Sequence, residues 1–329
     1  MHTVFFKNKP RIVSGGTIAG PKESAGVVGK YVDKTLSEDT FGESTYEKAE
    51  CKMLAFAAKK AIENAGLEEK DVDLFISGDL LNQIISASFA ARDFDIPFLG
   101  VYGACSTMAE SFALAAALID GGYFKKIVAA TGSHFSSAER QYRYPLELGN
   151  TRPPQAQWTV TGAGGALIAD AGSPIAVTAA TIGKVVDYGI TDVNNMGAAM
   201  APAACDTILT HLKDTGREEK YYDLIVTGDL GALGSRILKD LTWEKGIDIQ
   251  NNHVDCGEII YNVIEDEFQG GSGAGCSAVV FNSYLLDKLK RREINRVLFA
   301  ATGALLSTVS SGQGESIPCI CHAVSIENI

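Results

Sequence analysis

The stretch Asp73-Leu-Phe-Ile-Ser-Gly-Asp-Leu80 returns 150 residues later as Asp223-Leu-Ile-Val-Thr-Gly-Asp-Leu230, and the recurrence decides how the chain folds. Two further segments keep step. Gly103-Ala-Cys-Ser106 answers to Gly273-Ala-Gly-Cys-Ser277, and Lys126-Ile-Val-Ala-Ala-Thr-Gly132 answers to Arg296-Val-Leu-Phe-Ala-Ala-Thr-Gly303. Three matched segments in one order indicate a duplicated domain rather than composition bias, with halves spanning 1–172 and 173–329. The halves differ at one telling place. The first carries Cys105 at the mouth of a predicted helix, and the second has Gly275 or Cys276 there, according to where one gap falls.

Around the repeat, a short β-rich run in each half (Leu74 to Ser77, Leu224 to Thr227) ends in Gly-Asp and leads into a helical pattern. A second strand follows, then a Gly-rich turn opening a small-residue helix (Ser106 to Gly121, Cys276 to Leu289), then a third strand (Ile127 to Thr131, Val297 to Thr302). Strands alternating with helices of this length predict crossover units in a mostly parallel, buried sheet, so the fold class is α/β. The two small-residue helices carry little charge over their first turns, the composition of a helix buried on all sides. Sheets that sandwich central helices follow from it. Trp158 to Ile168 reads as a tight glycine turn feeding a core strand, and Pro174 to Val186 as the strand linking the halves. Ser133 to Gln157 reads as a long irregular segment, a functional loop or an interface.

With 329 residues and 46% hydrophobic content, the chain can bury the cores of two medium domains. Its formal charge of -11 argues against general affinity for nucleic acid or anionic lipid. The basic run Lys288 to Arg296 reads as a solvated helix end. Lys7, Lys9 and Arg11 interrupt the apolar residues before a signal-peptide core forms, which predicts synthesis in the cytoplasm. Seven Cys at irregular spacing imply free thiols in a reducing compartment. Cys319-Ile-Cys321 lacks zinc-knuckle spacing, so no metal site is expected. The glycine turns at Gly162 to Gly165 and Gly270 to Gly275 lack the Lys-Ser/Thr continuation of a phosphate loop, and no cofactor is expected.

Together these residues resemble the thiolase superfamily, whose members are built from two repeated halves with buried helices between two sheets. The resemblance covers nearly the whole chain and implies a layered αβαβα body with two mixed sheets. In the family's condensing enzymes a nucleophilic Cys opens the first buried helix in an Ala-Cys-Ser setting, as in Ala104-Cys105-Ser106. There, helix N–H groups and the dipole are expected to lower the thiol pKa and hold an oxyanion. Those enzymes also need a His and either an Asn or a second His from the C-terminal half. Set against the family strand ending in His-Gln-Ala-Asn, the chain has Gly228 in the His position, and set against Gly-Asn-Thr-Ser-Ala-Ala it has Gly271 in the Asn position. His253 and His322 are the candidate substitutes.

Within the superfamily the chain is most similar to a sporulation branch, thiolase-like proteins of endospore formers. Asp79-Leu-Leu-Asn-Gln83, Gly100-Val-Tyr-Gly-Ala-Cys-Ser-Thr-Met108, Phe135 to Pro145 and Asn195-Met-Gly-Ala-Ala-Met-Ala-Pro-Ala203 carry that likeness. It implies binding of dipicolinic acid (pyridine-2,6-dicarboxylate), with or without calcium, in the cleft inherited from the enzymes. It also implies roles in uptake of that acid into the spore and its release at germination, membrane-protein partners of one transport assembly, a peripheral place on the spore inner membrane, and a homodimer formed through an edge strand of the first half. The cleft so implied draws on Cys105, Asp79, Asn82, His134, Gly228, Gly271 and Gly303.

The residues themselves leave alternatives open. Cys105 reads as a pocket wall, a nucleophile or a plain buried thiol. Asp79 reads as a cleft residue or an N-cap, and Asp229 as an N-cap. His134 lines the cleft or is satisfied by backbone. Arg140 and Arg143 meet an anionic ligand, a dimer partner or an ordinary surface counter-ion. Two functions compete: a noncatalytic binding protein, for which no catalytic residue is expected, and an acyltransferase or condensing enzyme working through Cys105 on acyl thioesters. Gly228 and Gly271 favour the first.

Overall fold

The computed structural model describes residues 2–142, 152–261 and 269–329. In the first half the principal strands are β1 (Arg11–Ala19), β2 (Leu74–Gly78), β3 (Phe98–Gly100), β4 (Lys126–Ser133) and β5 (Gly162–Ala169). In the second they are β6 (Ile175–Thr181), β7 (Leu224–Thr227), β8 (His253–Asp255), β9 (Arg296–Ala304) and β10 (Cys319–Asn328). Their spatial orders are β1-β5-β4-β2-β3 and β6-β10-β9-β7-β8, the same sequence twice. In each unit β2 or β7 lies parallel to both neighbours, while the fifth strand runs antiparallel to the first and the fourth. The sheet is mixed because the fifth strand of each unit runs opposite to the fourth.

The two mixed sheets expected from the sequence are these five-strand units, and they meet edge to edge. Arg11 pairs with Ala176 and Val177 N–H donates to Pro10 O at 2.8 Å, so hydrogen bonding runs unbroken through both. The chain passes from one unit to the other between Ala169 and Ile175.

Helices follow from composition and capping. The first, α1 (Tyr46–Asn64), starts at Thr45, whose hydroxyl accepts from Lys48 N–H, and buries Ala49, Ala57, Ala58 and Ala61 against β1, β4 and β5. Short side chains let it sit low on the sheet. After it come α2 (Ile85–Ala91), α3 (Thr107–Asp120), α4 (Phe135–Tyr142), α5 (Met196–Thr215), α6 (Gly231–Glu244) and α7 (Ala274–Val280). The last runs on through a π turn, Phe281–Leu285, into Leu286–Lys290. In the middle layer, α3 packs on β2 and β4 of one sheet and on β9 and β10 of the other, while α7 packs on β4 and β5. Outside, α5 covers β9 and β10, with α6 beside it.

Phe112 of α3, Phe281 of the π turn and Phe299 of β9 form one aromatic cluster. Their centroids lie 5.2, 6.1 and 4.7 Å apart, so aromatic packing ties the halves together at the molecule's centre. The segment read as wholly irregular from Ser133 to Gln157 is helical over Phe135–Tyr142. Its Ser-Ser-Ala-Glu face is buried, and burial outweighs the weak helix propensity of serine. Arg143 lies outside the described residues.

Candidate functional site

Two elements bring the halves together at one end of the central helices. The short runs Trp158–Thr159 and Gly271–Ser272 pair in parallel, which sets a turn of each half side by side. Beside them the chain makes a 3-10 turn, Ala104–Ser106, before α3 begins. Ala104 adopts φ 50°, a left-handed conformation that a residue with a Cβ rarely takes, and its strain holds Cys105 at the turn's crest.

Cys105 forms part of the wall of a cleft with about 60 Å³ of free volume. Leu80, Ala104 and Ala138 from the first half and Met196, Met200 and Leu306 from the second supply apolar walls; Tyr102, Tyr142, Glu139, Thr159 and Ser272 supply the polar lining. The Tyr102 and Tyr142 hydroxyls lie 3.4 Å apart, and Tyr142 donates to Leu80 O. Glu139 accepts from Thr159 Oγ1 at 3.3 Å and pairs with Arg152 at 3.4 Å. Arg152 in turn lies 4.9 Å from the Trp158 ring centroid.

Asp229, the residue after Gly228, is fully buried. Gly273 N–H donates to Asp229 Oδ2 at 2.9 Å, Thr302 Oγ1 to Oδ1 at 3.4 Å, and Gln157 Nε2 to the backbone oxygen at 2.6 Å. Burial pushes the Asp229 carboxyl up to about 7. Burial and the neighbouring Asp229 push the Cys105 thiol well above its ordinary value. The expected lowering by helix N–H groups is therefore corrected. Ser106 N–H and Thr107 N–H are already given to Gly103 O and Ala104 O inside the 3-10 turn, so the turn consumes donors that an α-helix start would have pointed at sulfur.

The N-cap reading of Asp229 is also corrected. Leu230 and Gly231, at the start of α6, donate their N–H groups to Asp255 at 2.8 and 3.0 Å. The repeat-related Asp79 does act as a cap, accepting from Leu81 N–H and Ala87 N–H at 2.7 Å each. It is fully buried beneath Leu80, and burial raises it to about 6.

The other sequence-derived positions divide. Asn82 is exposed at the rim, its N–H donating to Gln141 Oε1 at 3.1 Å. His134 has both ring nitrogens committed, to Asp39 O at 2.9 Å and Ser136 N–H at 3.1 Å, and stacks on Tyr46 away from the cleft lining. A Cβ at Gly228 would meet Ala301 Cβ at 3.1 Å, and one at Gly271 would meet Ile260 Cγ2 at 2.6 Å. Both glycines face packed protein, and Ser272, one residue after Gly271, lines the cleft. A Cβ at Gly303 would lie 2.0 Å from Gly103 O, so glycine lets the end of β9 press on the Cys105 turn. Arg140 pairs with Glu47 on the surface.

Neither substitute histidine reaches Cys105. His253 Nε2 lies 2.9 Å from Thr227 Oγ1 and His322 Nδ1 accepts from Gly183 N–H at 3.4 Å. Burial lowers them to about 3 and about 4, and neither lines the cleft.

Comparison with known proteins now bears on this arrangement. A family model described as Stage V sporulation protein AD (SpoVAD) matches residues 1–327. The chain belongs to that family. The Stage V sporulation protein AD of Bacillus subtilis (strain 168) is 47% identical over 325 residues, covering 99% of this chain and 96% of that protein. Among solved structures, 3-oxoacyl-[acyl-carrier-protein] synthase III from Aquifex aeolicus is 14% identical with a TM-score of 0.57, covering 97% of this chain and 99% of that one. An OleA variant of Xanthomonas campestris with bound lauric acid and lauroyl-CoA is 14% identical with a TM-score of 0.63, covering 98% and 99%. At that identity the likeness shows the thiolase-type fold alone. In this SpoVAD-family chain Cys105 walls part of a cleft that has no His among its described lining residues.

Tyr102, Glu139, Met196 and Met200 carry no individual signal in the sequence, although each falls in a segment that carries the sporulation likeness. Among the described residues no cluster of His, Cys, Asp and Glu could hold a metal ion, and no helix is long and apolar enough to cross a membrane.

Proposed function

We propose that this SpoVAD-family chain is a noncatalytic binding protein for dipicolinic acid, acting in its uptake into the developing spore and its release at germination, on membrane-protein partners of one transport assembly at the spore inner membrane. The observation that carries the noncatalytic part is a cleft walled in part by Cys105 with no His among its described lining residues. A condensing enzyme must stabilise developing negative charge next to its thiol, support commonly worth several kcal/mol. No imidazole among the described lining residues supplies it. The ligand assignment rests on family membership and on a cleft flanked by Tyr102, Tyr142, Met196 and Met200, surfaces suited to a flat ring.

The dianion must enter beside Glu139. Relief comes from Arg152 at the rim or from calcium chelated by the ligand itself, which removes its net charge. Calorimetric titration with dipicolinate, with and without calcium, tests the reading. Saturable binding supports it, the calcium arm tells chelate from free acid, and absence of binding at millimolar ligand leaves only a scaffold role. The acyltransferase alternative is tested with acetyl and malonyl thioesters, where turnover should match a Cys105→Ala control. Turnover that depends on Cys105 would sink the binding-only reading.

A homodimer is part of the same proposal. β3 is an edge strand exposed along its whole length, with Phe98 and Leu99 37% and 39% exposed and Phe89 of the adjacent α2 46% exposed. An unpaired apolar edge invites pairing with a second copy. Leu99→Lys combined with Phe89→Lys should shift sedimentation from dimer to monomer at micromolar protein. A wild type that sediments as a monomer overturns the assignment.

A further inference from the structure

We propose that a groove on the second half, separate from the Cys105 cleft, binds a free α-amino acid with an aliphatic side chain: Glu258 pairs with its ammonium group, Lys239 pairs with its carboxylate, and His253 Nδ1 accepts a hydrogen bond from the same ammonium. The groove has about 260 Å³ of free volume and shares no lining residue with the cleft. Five segments meet there. The edge strand β8 brings His253, α6 brings Lys239, and the short helix Cys256–Ile260 brings Glu258 and Ile259. Val27 of the 3-10 turn Val27–Lys30 and Tyr284 of the π turn close it.

Hydrogen bonding around β8 fixes what His253 offers. Asp255 accepts from Thr227 Oγ1 at 2.7 Å and Leu230 N–H at 2.8 Å on Oδ2, and from Gly231 N–H at 3.0 Å and Glu258 N–H at 3.2 Å on Oδ1. Burial raises this group only to about 6, so at pH 7.5 it is a carboxylate and takes the Thr227 proton. The Thr227 hydroxyl, its one proton given away, can only accept from His253 Nε2, 2.9 Å distant. Burial first, and the Lys239 charge second, lower His253 to about 3. At neutral pH the ring therefore holds a single proton, and that proton sits on Nε2. Nδ1 is left as a lone pair with no hydrogen-bond partner among the described residues, on a side chain only 7% exposed that lines the groove. It calls for a donor.

Charge completes the match. Lys239 and Glu258 stand in the same lining, yet among the described residues neither makes an ion pair, with the other or with any third group. An anion alone would meet Glu258 and the Nδ1 lone pair, and a cation alone would meet Lys239. Nor does any cluster of His, Cys, Asp and Glu among the described residues suit a metal ion. A zwitterion satisfies both charges and the lone pair at once. Its aliphatic side chain has Val27, Ile259 and the Tyr284 ring to cover. A peptide N-terminus would leave Lys239 unmatched.

Calorimetric titration of the full chain with L-leucine at pH 7.5 tests the site. Saturable binding at millimolar ligand is expected. Leucinamide, which lacks the carboxylate, and N-acetyl-leucine, which lacks the ammonium, should each bind at least about tenfold more weakly. Lys239→Gln and Glu258→Gln should each weaken leucine by at least about tenfold. A long-range proton–nitrogen NMR spectrum should show His253 protonated on Nε2 before ligand is added and its Nδ1 resonance displaced afterwards. The proposal is overturned by no saturable leucine binding, by a blocked analogue that binds as well as leucine, by a charge variant with unchanged affinity, or by a His253 ring protonated on Nδ1.

Discussion

Cys105→Trp should abolish dipicolinate binding while thermal unfolding stays cooperative. Cys105 is partly exposed and lines a cleft with about 60 Å³ of free volume, so an indole grows into that space rather than into the packed middle layer. The walls cannot retreat: Ala104 and Ala138 are already small, and Leu80 follows Asp79, which is pinned by two backbone hydrogen bonds. Loss of affinity should exceed about a hundredfold, roughly 2.7 kcal/mol, measured by calorimetry. Cys105→Ser, nearly isosteric, should stay within about threefold of wild type because the thiol acts as wall rather than as a reactant. Unchanged binding in the Trp variant would place the ligand elsewhere.

The repeat made the architecture readable because duplicated segments mark equivalent strands. Once Leu74 to Gly78 and Leu224 to Thr227 are matched, the strand order of one half is the order of the other, and the small-residue helices between them have to be central. The joining of the two sheets at Arg11 and Ala176 left no trace in the sequence, since a single backbone pair needs no particular side chain.

The site was less legible, and for a definite reason. Successive side chains at a strand end point in opposite directions, so an alignment wrong by one residue moves a position from the cleft into the core. Matching letters placed the missing imidazole at Gly228 and the missing amide at Gly271. The backbone turns those two toward Ala301 and Ile260, while Ser272, one residue after Gly271, lines the cleft. Likewise, no local pattern says that Ala104–Ser106 forms a 3-10 turn rather than the first turn of an α-helix, yet that difference removes the donors expected to acidify Cys105. His134 was drawn in by its place after β4; one ring nitrogen serves nearby Ser136 and the other meets Asp39 O, a pairing with a segment distant in sequence.

Glu23→Gln should stabilise the protein relative to wild type progressively as pH rises from 5.5 to 8, by roughly 2 kcal/mol over that span. Glu23 is buried at 1% exposure and accepts at Oε1 from Tyr261 OH and from Thr161 N–H, while Oε2 has no hydrogen-bond partner among the described residues. A neutral carboxylic acid suits that arrangement. Burial, the largest influence, raises the group from 4.5 to about 7. The folded state therefore holds more protons than the unfolded chain between these values, and stability falls as pH rises through them. Above about 7 the full penalty is present, and Gln, which stays neutral, escapes it. The wild-type profile alone cannot reveal this. Burial lowers His134, His211, His253 and His322, and neutral buried imidazoles lose stability as pH falls through the ordinary value near 6.5, the opposite slope in the same window. Denaturant melts of wild type and variant at pH 5.5, 6.5, 7.5 and 8 isolate the Glu23 contribution by difference. A stability gap that does not widen with pH would mean that the carboxyl is ionised in the fold, held by partners other than Tyr261 and Thr161.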